Sequence, residues 1–111
     1  MFFQESNKVW LEKDMWMINL VKFESFSVDF IQIEIDAIEK DVIHTECDEW
    51  IYVLSGTLIF FIDGREILLH QGDHIAIPIN TVHGSINQSK EIVKLLSVCS
   101  PPFEEKFMQK V

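Results

Sequence analysis

Residues 44–49, HTECDE, crowd one imidazole, one thiol and three carboxylates into six positions just before an apolar run, WIYVLSG. Imidazole, thiolate and carboxylate are the side chains that ligate transition metals and move protons near neutral pH. The same stretch also reads as a solvated acidic turn leading into a strand. His44 and Glu46 are two apart and share a strand face, whereas His44 and Glu49 are five apart and do not. A bulge or turn within residues 45–48 must therefore re-aim Glu49 before it can converge with His44. Cys47 falls in that turn and is read as a small turn residue, with thiolate ligand and redox thiol as the alternatives.

The elements that would position these groups are short and β-rich. Residues 15–23 and 26–35 are apolar runs of strand length, and in the second Val28, Phe30, Ile31, Ile33 and Ile35 nearly alternate with Asp29, Gln32 and Glu34. That is the pattern of a half-buried strand. Further strands are expected around residues 42–46, 49–54, 57–62, 65–70, 74–77, 82–86 and 91–99. Ser55-Gly56 reads as a tight reversal, and Asp63-Gly64 as a hairpin turn. Pro78 and Asn80 mark a loop. After Pro101-Pro102, the tail FEEKFMQKV reads as a short C-terminal helix. Many short strands with no crossover helix between them predict an all-β sandwich or barrel.

Composition narrows the function. The chain has 111 residues, 48% of them apolar, which suits one globular domain over residues 1–111. Eighteen acids against nine bases give a formal net charge of -9, which disfavours nucleic acid and anionic membrane as partners. No run is long enough for a spanning helix and the first ten residues lack a secretory signal's pattern. The expected location is cytoplasmic, with Cys47 and Cys99 reduced rather than paired in a disulfide.

The stretch over residues 72–87, GDHIAIPINTVHGSIN, resembles the second motif of the cupin superfamily, G-x5-P-x-G-x2-H-x3-N. Gly72, Pro78, His83 and Asn87 stand at its separations, and Asn80 replaces its middle glycine. Upstream, Glu49 and Gly56 match the carboxylate and last glycine of the first motif, G-x5-H-x-H-x3-4-E-x6-G, whose leading glycine is missing. Two registers remain for the histidines. One makes His44 the second histidine and leaves Val42, which cannot bind metal, at the first. The other makes His44 the first and Glu46 the second ligand, at a spacing shorter than the family's.

The resemblance implies a double-stranded β-helix, or jelly-roll, with a divalent metal inside and commonly a homodimer. The ligands it offers here are His44, Glu49 and His83, with Glu46 as a candidate fourth. Two imidazoles and a carboxylate suit Fe(II), and equally Mn, Ni or Zn. Three roles stay open for Glu46: ligand, acceptor for an imidazole N–H, or solvated acid. Glu49 and Glu46 are the candidate proton-moving groups. His70 and His74 lie outside the motif positions and are expected at the surface or in packing. With Glu49 inward, Ile51, Val53 and Phe60 should line an apolar cup for a small organic molecule, with Trp50 and Tyr52 facing away. The expected activity is that of a small-molecule enzyme of dioxygenase, isomerase, decarboxylase or lyase type. The alternative is a metal-free module that binds a sugar or small acid.

Overall fold

A computed structural model describes residues 7–111. Eleven strands follow one another there: β1 (Val9–Glu12), β2 (Met15–Lys22), β3 (Ser27–Ile33), β4 (Ile38–His44), β5 (Asp48–Ser55), β6 (Leu58–Ile62), β7 (Arg65–Leu69), β8 (His74–Ile77), β9 (His83–Ile86), β10 (Val93–Ser100) and β11 (Met108–Lys110). They form two antiparallel sheets, one ordered β1-β2-β3-β10-β5-β8 and the other β11-β4-β9-β6-β7. From β3 onward the chain passes from one sheet to the other at almost every step. This is the jelly-roll that the strand pattern and the motif resemblance pointed to.

The alternation of apolar and polar residues builds the interior. Along β3 every second residue is buried, from Ser27 to Ile33. The facing strands bring Ile51, Val53, Leu58, Phe60 and Leu95 into one core between the sheets. Burial of that apolar surface is the main force closing the sandwich. Trp50 and Tyr52 alternate outward on β5, as their parity requires.

Turn chemistry is readable in the backbone. Asp63 and Gly64 both have positive φ, and Ile62 pairs with Arg65 across them, the hairpin expected from Asp-Gly. Asn80 takes φ 63°, the left-handed geometry for which the motif uses glycine. Ser55-Gly56 differs from the reversal read in the sequence. β5 and β6 belong to different sheets, and the chain crosses between them there. Gly56 is required because a Cβ would stand 2.9 Å from the Ile92 carbonyl oxygen.

Both ends of the chain also depart from expectation. Glu105–Phe107 is a single 3-10 turn, and the tail then adds β11 to the edge of β4, Met108 opposite His44. Its last residues alternate poorly for a helix, and the open edge of β4 offers them hydrogen bonds. β1 extends the other sheet by pairing with β2. Among the described residues no helix is long and apolar enough to cross a membrane.

Candidate metal centre

Each sheet contributes part of the site. His44 ends β4 and His83 begins β9, neighbours in the five-stranded sheet, where Val42 is the cross-strand partner of His83. Glu49 lies on β5 of the six-stranded sheet, opposite Cys99 on β10. Residues 45–47 carry the chain from one sheet to the other. That crossing, rather than a bulge within one strand, re-aims Glu49 toward His44. The loop before β9 is tied to the same crossing, since Ile79 N donates to Asp48 Oδ1 at 2.7 Å and Asn80 N to the His44 carbonyl at 2.9 Å.

The donor atoms converge. Glu49 Oε1 stands 3.6 Å from His44 Nδ1 and 3.5 Å from His83 Nε2. All three residues are buried, at 8%, 7% and 2% exposure for His44, Glu49 and His83. Glu49 Oε2 accepts a short hydrogen bond from Ser97 Oγ. Oε1 is the buried side-chain oxygen left without a hydrogen-bond partner among the described residues. His83 Nδ1 lies 2.9 Å from the Thr81 carbonyl oxygen, which can only accept. The ring proton therefore sits on Nδ1, and Nε2 presents a lone pair to the carboxylate.

An unpartnered carboxyl oxygen facing an imidazole lone pair suits a cation held between them. Ligands ~2.1 Å from a tetrahedral ion stand ~3.4 Å from one another, close to the spacings here. Orphaned oxygen, fixed tautomer and spacing all fit a divalent metal. The hydrogen bonds from Ser97 and to Thr81 orient the ligands as outer partners do in metal sites.

Electrostatics separates the two histidines. Burial holds the His83 pKa below its usual value despite the pull of Glu49. At His44 burial works in the same direction, but the contact with Cys47 and the charge of Glu49 outweigh it and the pKa is raised. Cys47 Sγ lies 3.8 Å from His44 Nδ1. The Cys47 thiol is lowered to about 6 by its contacts with Cys99 and then His44, while the Cys99 thiol is pushed up by Cys47 and by burial. Both cysteines are buried and free.

The cavity holding this cluster encloses about 470 Å³ of space, its mouth included, and is apolar over most of its wall. Ile51 and Phe60 line it as expected, whereas Val53 is buried in the core behind it. Phe103 and Met108 of the tail close one side. Its polar residues include two carboxyls beyond Glu49: Asp29 and Glu39. Glu39 is raised to about 8, mainly by burial and next by the charge of Glu49. Asp29 is also raised by burial, partly offset by the hydrogen bond from Asn19 Nδ2 at 2.9 Å.

Glu39 reaches the cavity through a bulge. Glu39 pairs with Ser85 and Val42 with His83, so β4 advances three residues while β9 advances two. Lys40 and Asp41 together oppose Gly84, and Glu39 ends on the same face as Val42 and His44. Gly84 makes room for this: a Cβ there would lie 2.7 Å from the Glu39 carbonyl oxygen.

The structure brings together His44, Glu49 and His83. Glu46 is exposed and stands outside the group. Val42 is buried beside His83 and does not line the cavity. His70 and His74 are exposed, and His74 Nδ1 accepts from Trp50 Nε1 at 3.3 Å. Asn87, fully buried, ties its amide to the carbonyls of Ile33, Glu34 and Glu91, so it acts as a structural knot. Glu39, Asp29 and Ser97 are the polar groups that sequence reading missed. Ser97 alone had a signal, as the one polar residue in the apolar run over residues 95–99.

Comparison with known proteins agrees with the fold. Over 69 residues the chain is 35% identical to quercetin 2,3-dioxygenase of Bacillus subtilis, covering 62% of this chain but only 20% of that protein. The chain thus spans about a fifth of the length of this relative. Among solved structures, KdgF from Halomonas sp. superposes with a TM-score of 0.82 at 18% identity, covering 96% of this chain and 97% of the other. The polyketide cyclase RemF from Streptomyces resistomycificus gives 0.77 at 21% identity, covering 89% and 72%. The family described as a cupin domain matches residues 30–99, which hold all three converging residues. The protein belongs to the cupin family.

Proposed function

We propose that the chain is a metal-dependent enzyme acting on a small organic molecule bound in the cavity, with a divalent ion held by His44, Glu49 and His83. The observation that carries this is Glu49 Oε1, buried without a hydrogen-bond partner between two imidazole nitrogens. A bound ion supplies a Lewis acid for an oxygen of the substrate. The protein supplies the rest. Phe60, Ile51 and Leu95 exclude water from the inner wall. Glu39 faces the cavity, its carboxyl raised by burial to about 8 in the metal-free chain, and serves as the proton-moving group. Glu39 therefore takes the proton-moving role considered for Glu46, whose side chain is in solvent. A buried carboxyl beside an ion-held carboxylate suits proton transfer within one substrate, as isomerases and lyases require.

A second reading is a binding module without catalysis. Val42 favours it, because it stands where the family motif has another histidine. We also carry forward a homodimer, for which the outward Trp50 and Leu54 of β5, 36% and 37% exposed, supply apolar area.

The test is metal analysis of protein purified without a chelating tag. Wild type should carry about one equivalent of divalent metal, and His83→Ala and Glu49→Ala should each lose it. Metal-free wild type that binds small ligands unchanged by either substitution would favour the module.

A further inference from the structure

We propose that His44, Cys47 and Cys99 form a second, thiolate-bearing site for a soft d10 cation such as Zn(II), Cd(II) or Cu(I), one that competes with the His44-Glu49-His83 site. Cys47 Sγ lies 3.8 Å from His44 Nδ1, and the donor atoms of His44, Cys47 and Cys99 all lie within 4.8 Å of one another. Two sulfurs and a nitrogen around a tetrahedral ion stand ~3.5–3.8 Å apart. Cys47 and Cys99 are 5% and 1% exposed, so an ion between them is shielded from water on most sides. Cys47 belongs to the crossing between β4 and β5, next to exposed Glu46 and Asp48, which gives an ion a short way in.

Three separate segments supply the donors. His44 ends β4, Cys47 lies in the crossing outside β5, and Cys99 sits on β10 opposite Glu49, so the fold itself brings the three atoms to one point.

The two sites cannot be filled together. His44 Nδ1 is the atom that faces both Glu49 Oε1 and Cys47 Sγ. One ring nitrogen has one lone pair and ligates one ion. Softness then decides the position: a harder ion such as Mn(II) or Fe(II) takes the nitrogen and oxygen donors, and a thiophilic ion takes the sulfurs. A thiophilic ion draws His44 away from the catalytic metal and acts as an inhibitor from behind the cavity wall.

Cadmium and manganese separate the two sites when added to the metal-free full chain under reducing, oxygen-free conditions. Cd(II) should produce a near-ultraviolet thiolate-to-metal band that saturates at about one equivalent. Cys47→Ser and Cys99→Ser should each abolish the band, and His83→Ala should retain it. Mn(II) bound first, followed by its electron paramagnetic resonance signal, should be released as Cd(II) is added. Cadmium NMR of the wild-type chain reports sulfur ligation without any substitution, so a misfolded serine variant does not decide the outcome. Cd(II) binding without sulfur ligation, or a band that survives both serine substitutions, overturns the site. Simultaneous binding of both ions overturns the sharing of His44. Failure of Mn(II) to bind while the cadmium band forms counts against the proposed catalytic metal and leaves the thiolate site standing.

Discussion

Single side chains decide what this cavity can do, and the most informative is one that motif spacing did not reveal. His83, Asn87 and Glu49 were legible because the chain keeps the motif separations around them. Glu39 was not, since it is five residues from His44 and a regular strand would turn it to the opposite face. Its carboxyl gives a sharp expectation for the metal-free protein. The folded state holds this proton up to about 8, against 4.5 ordinarily, so stability falls as pH rises between those values. Glu39→Gln removes the titration. The variant should be more stable than wild type near pH ~9, by on the order of 2 kcal/mol, with the gain gone by pH ~5. Chemical denaturation at the two pH values checks it, and an equal gain at both would refute the assignment.

At the level of strands, the sheet content was readable because alternation and Asp-Gly turns act locally. The misreadings came from tertiary partners. The tail became a strand because the edge of β4 offered it a ladder, and Ser55-Gly56 became a crossing because the second sheet lies opposite. The bulge in β4 is likewise a property of two strands, not one. It exists because Gly84 has no Cβ, with the Glu39 carbonyl oxygen 2.7 Å from where one would sit. Gly84→Ala should therefore lower stability by about 1–3 kcal/mol, read as a drop in Tm, and displace Glu39 from the cavity. Deleting Lys40 should be milder, because it irons out the bulge while leaving Glu39 opposite Ser85. A Tm unchanged by Gly84→Ala would show that β4 can move aside.

For the molecule as a whole, both sheets supply residues of the proposed centre, so a bound ion would clamp one to the other. Excess divalent metal, at about 100 times its dissociation constant, should raise Tm by about 10 °C, and a chelator should reverse the shift. Thermal melts of wild type and His83→Ala, the latter insensitive to metal, check this. The homodimer is tested separately by sedimentation, where a monomer at micromolar concentration would remove it. The assembly of the centre from two sheets also ties ion exchange to the fold. An ion held by His44, Glu49 and His83 would leave fastest when the sheets part, so its release would quicken with the same local openings that precede unfolding.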